Sequence, residues 1–190
     1  MRLFKVSGLV AFMAGSSFAA PLFITYSSVG TGTIGATPFT DAAFTISESL
    51  DTANIQTFTG GLSLDDNSAS ITIAGLGIFD FTTATRTFVN NTFGVVGFSR
   101  AGATPADLVH SSGDAAYTTW DMTTSLGPYT GPGTLLQWSF FPVLTTGGTL
   151  VFNDATPTVT FQAVATPEPA SAALISLGLA GLVFAARRRR

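Results

Sequence analysis

The sequence predicts an all-β fold for the central chain, an antiparallel β-sandwich of the jelly-roll kind. Apolar and polar residues alternate at a period of two, as in residues 42–46, and turn residues recur about every eight to twelve positions. Apolar residues show no sustained recurrence at helical spacing. A β-solenoid is the alternative, although no repeat of fixed period supports it. The sandwich is expected at residues 20–166, between a signal peptide at residues 1–19 and a C-terminal segment at residues 167–190.

The predicted strands are short and end at recognisable turns. Asp65, Asp66, Asn67 and Ser68 are expected to form the turn of one hairpin, and Asn90 and Asn91 a two-residue turn of another. Residues 126–133, rich in Gly and Pro, are predicted to be a long turn, and residues 145–148 a shorter one. Strands are expected at residues 22–26, 42–46, 62–64, 71–73, 78–81, 87–89, 94–98, 149–152 and 159–164.

The charge of the central chain excludes several classes of partner. Residues 21–165 contain ten acidic residues and two arginines, so their formal charge is −8, against −3 for the whole chain. An acidic surface does not favour nucleic acid or anionic lipid, because both need Lys or Arg to neutralise phosphate. The chain has no Cys and one His, His110. We therefore expect no thiol chemistry, no metal site and no cofactor.

The first nineteen residues have the layout of a secretory signal peptide. Arg2 and Lys5 supply the basic start, residues 6–14 are mainly apolar, and small residues follow. Cleavage between Ala19 and Ala20 is expected, because a cut after Ala20 would place Pro21 just beyond the scissile bond. The apolar run is too short for a membrane-spanning anchor, which is the alternative.

The last twenty-four residues contain three contiguous features. The triplet Pro167, Glu168 and Pro169 is followed by an uncharged apolar run at residues 170–186, and the chain ends in Arg187, Arg188, Arg189 and Arg190. As a transmembrane helix, the run would span roughly 25 Å at about 1.5 Å per residue. The four arginines would stay at the cytoplasmic face and stop translocation.

This block resembles the PEP-CTERM sorting signal of bacteria that export proteins together with extracellular polysaccharide. The resemblance implies that an exosortase, a membrane-embedded cysteine transpeptidase, recognises the triplet and removes the tail. It also implies a precursor held transiently in the inner membrane, and a product at the cell surface or in the polysaccharide matrix of a biofilm. The alternative is a plain single-pass membrane anchor.

Three sets of central residues are candidates for a catalytic or binding site. Ser99, Asp107 and His110 follow the chain order of a hydrolase triad, but the sequence around Ser99 lacks the expected elbow. The acidic residues at 65–68 could offer oxygens to Ca²⁺, although a metal-free turn explains them more simply. Large aromatic residues could form a sugar-stacking platform but are more often core anchors, namely Tyr117, Trp120, Tyr129 and Trp138.

These observations favour an exported, non-catalytic protein that is structural or associated with carbohydrate. The sequence contains no recognisable catalytic constellation, so we expect no enzymatic activity. The alternative is a secreted hydrolase that acts on polysaccharide, because a pair of carboxylates far apart in sequence can meet in space.

Overall fold

Antiparallel strands dominate the fold. The computed structural model describes residues 20–102 and 104–166. Within that part of the chain, the helical elements are two short 3-10 turns, Thr52–Asn54 and Ala115–Thr118. The strands are β1 (Pro21–Ile34), β2 (Thr37–Asp51), β3 (Gln56–Phe58), β4 (Gly61–Ile73), β5 (Gly77–Asp80), β6 (Thr85–Asn90), β7 (Val95–Arg100), β8 (Ala106–Ser112), β9 (Leu126–Leu135), β10 (Val143–Thr145), β11 (Gly148–Ala155) and β12 (Thr158–Ala165).

Eight of these strands close into a barrel. Their order is β1, β12, β9, β8, β7, β6, β4 and β2, and β2 pairs with β1 to complete the circle. The remaining strands extend the wall locally: β11 pairs with the second half of β1, β10 pairs with β11, and β3 and β5 pair with β4. All of the pairings are antiparallel.

The prediction of a β-sandwich is therefore wrong, as is the β-solenoid alternative, although the all-β antiparallel class is confirmed. The physical reason lies in strand length. β1, β2 and β4 contain 14, 15 and 13 residues. They extend beyond the strands predicted at residues 22–26, 42–46, 62–64 and 71–73. A long, bent strand can pair with different neighbours along its two halves, so the wall curves round instead of dividing into two sheets.

A β-bulge in β4 replaces the turn predicted at residues 65–68. Leu50 pairs with Asp66 and Ser49 pairs with Ser68, so Asn67 is an extra residue opposite β2. Side chains alternate between the two faces of a strand, so this one extra residue changes which residues face inward: even-numbered residues before the bulge and odd-numbered residues after it. Leu64 faces the interior before the bulge, whereas Ala69 and the residues at 71 and 73 face it afterwards.

Residues 126–133 also form a strand, β9, and not the predicted turn. Their glycines mark close approaches between neighbouring strands. A Cβ added to Gly133 would lie 2.3 Å from Cγ2 of Val159 on β12, and one added to Gly131 would lie 2.7 Å from the carbonyl oxygen of Ser112 on β8. Glycine therefore allows β9 to fit between β8 and β12.

Two predicted hairpins are confirmed. β10 and β11 turn tightly, with Thr145 paired to Gly148. β6 and β7 also form a hairpin, but its loop contains four residues, because Asn90 pairs with Val95. The positive φ in this loop falls on Gly94, at 61°, and not on the asparagines as expected.

The barrel interior is packed with apolar side chains. Phe161 lies near its centre, with ring centroids 5.3 Å from Tyr26, 5.7 Å from Tyr117 and 5.5 Å from Trp120. The ring centroids of Trp138 and Phe152 lie 5.1 Å apart. The indole N–H of Trp138 donates to the carbonyl oxygen of Leu108 at 2.7 Å. Aromatic residues thus hold the core from several sides.

The predicted signal peptide and the predicted transmembrane segment, residues 1–19 and 170–186, lie outside the described residues. Across residues 20–102 and 104–166, no helix is long and apolar enough to cross a membrane.

Candidate functional site

A polar cluster interrupts the apolar interior of the barrel. Tyr26 on β1, Glu48 on β2, Asp66 on β4, and Thr85 and Thr87 on β6 contribute its side chains. Glu48 is 3% exposed and lies between the inward-facing residues of β2 at positions 46 and 50. Asp66 reaches the same interior because the bulge at residue 67 turns it inward.

Hydroxyl groups satisfy one oxygen of Glu48. Thr87 Oγ1 donates to Glu48 Oε2, and Tyr26 OH lies 3.2 Å from Thr87 Oγ1. A threonine hydroxyl has one proton to donate, so the tyrosine hydroxyl is the donor in the second bond. The direction of the chain is therefore from Tyr26 through Thr87 to Glu48.

The other carboxyl oxygens of the cluster have no donor in the described part of the chain. Glu48 Oε1, Asp66 Oδ1 and Asp66 Oδ2 are all buried without a hydrogen-bond partner. Two ionised carboxylates cannot share such a site without a compensating positive charge. Protonation of one of the two groups removes this conflict, because a neutral carboxyl needs no compensating charge and gains an O–H donor.

The pKa values of both carboxyl groups follow this logic. Burial raises the pKa of Glu48 well above its usual range, and the nearby charge of Asp66 raises it further. Burial raises the pKa of Asp66 to about 7, although the Thr85 hydroxyl and the Glu48 carboxyl act in the opposite direction. These directions predict that the cluster keeps at least one proton near neutral pH. We name Glu48, Asp66 and the hydroxyls of Tyr26, Thr85 and Thr87 the proton-holding cluster.

The cluster does not have the composition of a metal site. Groups of three or more His, Cys, Asp or Glu side chains suited to a metal ion do not occur in residues 20–102 and 104–166. Two carboxylates also fall short of the roughly six to eight oxygens that Ca²⁺ takes. Asp65, the other acid of the predicted turn, is exposed, whereas its neighbour Asp66 faces inward. The structure therefore does not bring the residues at 65–68 together as Ca²⁺ ligands.

The three candidate triad residues lie on adjacent strands but do not form a triad. Ser99 on β7 pairs with Asp107 on β8, and Gly97 pairs with His110. Within the described residues, the Ser99 hydroxyl accepts from Arg86 Nε at 3.3 Å, and no hydrogen bond links it to His110 or Asp107. Ser99 is also fully buried. A nucleophilic serine needs a base on its proton and access to substrate, and this arrangement provides neither.

Burial governs the titration of the two acid–base members of that set. It lowers the pKa of His110, while the charge of Asp107 opposes the change. It raises the pKa of Asp107, while Arg86 and His110 oppose the change. These are the shifts of a half-buried pair within a sheet, and they do not prepare a base for the Ser99 hydroxyl.

The aromatic platform, which was the less favoured alternative, does not form. Tyr117, Trp120 and Trp138 are buried core residues, which confirms the reading of these residues as core anchors. Tyr129 is half-buried and packs edge-on against Tyr117, with ring centroids 6.0 Å apart. The aromatic residues of this set therefore stabilise the barrel instead of lining a binding face.

Both ends of the described chain leave the barrel at one point. The backbone N–H of Thr166 donates to the carbonyl oxygen of Pro21 at 2.9 Å, directly beyond the pair formed by Leu22 and Ala165. We call this end of the barrel the terminal pole. In the sequence, the expected cleavage site between Ala19 and Ala20 directly precedes β1, and the triplet at residues 167–169 directly follows Thr166. Ala19 and the triplet lie outside the described residues.

The fold and its ends together define a closed β-barrel domain with an apolar core, a buried proton-holding cluster and a sequence tail that starts at the terminal pole. Residues 165–190 match the PEP-CTERM protein-sorting motif, so the chain carries this sorting signal at its C-terminal end. The matched range includes the Pro-Glu-Pro triplet and the four terminal arginines. No curated protein and no solved structure matches the chain.

The sorting motif implies exosortase-dependent export to the cell surface. An exosortase is accordingly the partner that the motif implies. The resemblance inferred from the triplet, the apolar run and the arginines is therefore confirmed at the level of the family motif. The individual roles of Pro167, Glu168, Pro169 and the arginines stay predictions, as does cleavage between Ala19 and Ala20.

Proposed function

We propose that the protein is a non-catalytic, carbohydrate-associated component of the cell surface or of the extracellular polysaccharide matrix. Its precursor is held in the inner membrane, and an exosortase releases the barrel from the tail. The observation that carries the non-catalytic assignment is the placement of the carboxyl pair. Glu48 and Asp66 meet inside the packed barrel, where a polysaccharide chain cannot reach them, and not across an open cleft.

The position of the chain ends supports the sorting assignment. The last residue of β12 is Ala165, and the triplet begins two residues later at Pro167. Glu168 therefore lies within about 7 Å of chain from Thr166, which is fixed to the barrel. The domain and its sorting signal are joined almost directly, so cleavage at the triplet would release the acidic barrel with few tail residues attached.

The test is an intact-mass measurement on exported material from a polysaccharide-producing host. The expected mature species lacks all four terminal arginines, and replacement of Pro167, Glu168 and Pro169 by alanine traps the uncut form in the inner membrane. A host without the exosortase gives the same uncut form. Exported protein that retains residues 187–190 would falsify the sorting proposal and leave a plain anchor.

The non-catalytic part of the proposal has its own test. Purified protein is incubated with neutral and acidic polysaccharides, and new reducing ends are counted. The expected result is none above a heat-treated sample. Sustained release of reducing ends would establish a hydrolase, and loss of that release in Ser99→Ala or in Asp107→Asn would place its site at this residue pair between β7 and β8.

A further inference from the structure

Short hydroxyl side chains form ordered rows on one outer face of the barrel. Residues that pair across β9, β12, β1, β2 and β4 bring five hydroxyls into a single row, and this row consists of Thr130, Thr160, Ser27, Thr45 and Thr72. Hydroxyls within it already bond to one another, at 2.7 Å between Thr130 and Thr160 and at 2.9 Å between Ser27 and Thr45. Strands lie about 4.8 Å apart, so the hydroxyls recur at that spacing.

Two further rows run parallel to the first. One contains Gln162, Thr25, Ser47, Ser70 and Asp80, and the other contains Val164, Phe23, Ser49 and Ser68. All three rows face outward, because the alternate residues of β1, β12 and β2 fill the core. We call this surface the hydroxyl face.

A depression of about 190 Å³ lies within the hydroxyl face. Glu48 and Ala69 form its floor, and both residues are buried. The other lining residues supply an aromatic ring, four hydroxyls and one carboxylate, from Phe23, Ser47, Ser49, Ser68, Ser70 and Asp80. The Phe23 side chain is 47% exposed, and its cross-strand neighbours are Ser49 and Val164. An apolar surface thus lies beside groups that can both donate and accept hydrogen bonds.

The charge of the hydroxyl face narrows the class of ligand. The central chain contains ten acidic residues, but the three rows include only Asp80 among them. Arg86 and Arg100 lie on β6 and β7, which are not part of this face. A polyanion would find no cation here, and a polycation would find a single carboxylate. A neutral ligand rich in hydroxyl groups matches the surface best.

We propose that the depression beside Phe23 binds a sugar unit of a neutral glycan and that the adjoining hydroxyl rows extend this contact along the chain. The C–H face of a pyranose would pack on the Phe23 ring, while its hydroxyls exchange hydrogen bonds with Ser49, Ser70 and the Asp80 carboxylate. The inference deepens the proposed function, since it rests on a carbohydrate-associated role and names the surface that serves it. This site is distinct from the buried aromatic residues at 117, 120 and 138.

The test measures binding by titration calorimetry on the full chain, in a detergent without a sugar head group. The probes are cellohexaose, maltohexaose and a hexamer of galacturonic acid, the last as an acidic comparison. At least one neutral hexamer is expected to bind, and the acidic hexamer at least tenfold more weakly. Binding of the acidic hexamer alone, or of none of the three, would overturn the proposal.

Variants then locate the binding. Phe23→Ala is expected to weaken the neutral hexamer at least tenfold, and Asp80→Asn several-fold. Phe93→Ala is the matched control, because Phe93 is 78% exposed in the loop between β6 and β7 and should bind as the parent does. Equal losses in Phe23→Ala and Phe93→Ala would contradict the site. If Phe23→Ala does not fold, Ser70→Ala replaces it in this test, because it removes one half-buried hydroxyl from the lining of the depression.

The two proposals fail separately. Normal loss of residues 187–190 on export without glycan binding removes the inference and leaves the sorting assignment. Glycan binding by an exported protein that keeps those arginines removes the sorting assignment and leaves the inference of a glycan site. Release of reducing ends from a bound hexamer would overturn the non-catalytic role while retaining the binding face.

Discussion

Glu48 on β2 and Asp66 on β4 meet inside the barrel because a single extra residue, Asn67, turns Asp66 inward. Neither carboxyl group is near the other in sequence, and the oxygens that lack a donor belong to both. The pair is therefore expected to hold a proton near neutral pH, in an interior that is otherwise apolar or lined by hydroxyl groups. Its behaviour with pH is the most direct property to measure.

Stability is expected to fall as the pH rises from about 4 through 7. Burial raises the pKa of Glu48 and of Asp66 in the folded chain, whereas both groups titrate near 4 when unfolded. The folded state therefore keeps protons that the unfolded state has lost. Its added stability is complete below about pH 4, declines by up to about 1.4 kcal/mol per pH unit for each proton, and is lost as the folded groups ionise.

Denaturant titrations at several pH values between 4.5 and 9 measure this slope. The neighbouring ionisable groups are Tyr26 on β1 and Asp65 on β4. The double variant Glu48→Gln, Asp66→Asn should flatten the slope, and Asp154→Asn, at an exposed position on β11, should leave it unchanged. A parent protein whose stability rises steadily over this range would contradict the raised pKa values of Glu48 and Asp66.

Deletion of Asn67 is expected to remove the bulge and to leave the barrel folded. Asp66 would then directly precede Ser68 with no change of pairing to β2, so Leu64 and Ala69 would still face the core. Asn67→Ala keeps the bulge and should change stability by less than about 0.5 kcal/mol, since this side chain is exposed. Thermal unfolding of the two variants compares the loss of the bulge with the loss of the side chain. A deletion variant that fails to fold would contradict the assignment of Asn67 as the extra residue.

Phe161→Ala is expected to cost about 3–5 kcal/mol of unfolding free energy, because it opens a cavity among three aromatic rings. The rings belong to Tyr26, Tyr117 and Trp120. Phe140→Ala is the control of the same chemistry, since Phe140 is 79% exposed and its loss should cost little. Urea titration gives both values, and similar costs for the two variants would show that Phe161 does not organise the core.

A spacer between Thr166 and Pro167 is expected to speed removal of the tail. In the parent chain the triplet follows directly on a backbone amide that is bonded to Pro21, so the enzyme must approach the barrel wall. Four residues, Gly-Ser-Gly-Ser, inserted there would move the triplet away by up to about 14 Å. The same insertion after Gly75, where a side chain would find open space, is the control.

Pulse–chase labelling follows the ratio of cut to uncut protein. Faster cutting with the spacer at residue 166, but not with the one at residue 75, supports cleavage close to a folded barrel. An unchanged rate in both would show that the barrel does not restrict the enzyme.

Much of the fold could be predicted from local pattern. The alternation of apolar residues identified strands such as residues 42–46, and the turns at residues 90–91 and 145–148 lie at real hairpins. The prediction of a turn at β9 was wrong because glycine is typical of turns but is also needed where a strand runs very close to its neighbours. Closure of the barrel depends on pairing between β1 and β2 along their full length, which no local pattern records.

Some functional features could be predicted from the sequence, and others could not. The sorting motif could be read from the sequence because its parts are contiguous. Glu48 could have been recognised as buried, since it alternates with the apolar residues at 46 and 50. Asp66 could not, because the bulge that turns it inward lies in a polar stretch typical of a turn. The hydroxyl face requires the register of five strands, and it appears only when the pairings are known.

The bond between Thr166 and Pro21 also determines how the domain responds to mechanical load. A pull on the C-terminal tail enters β12 at Ala165, beside the first residues of β1. The ladder between these strands would then peel open one pair after another, and would not be sheared along its whole length at once. Pulled by its two ends, the barrel would therefore open from the terminal pole, at a lower force than a ladder that is sheared along its length.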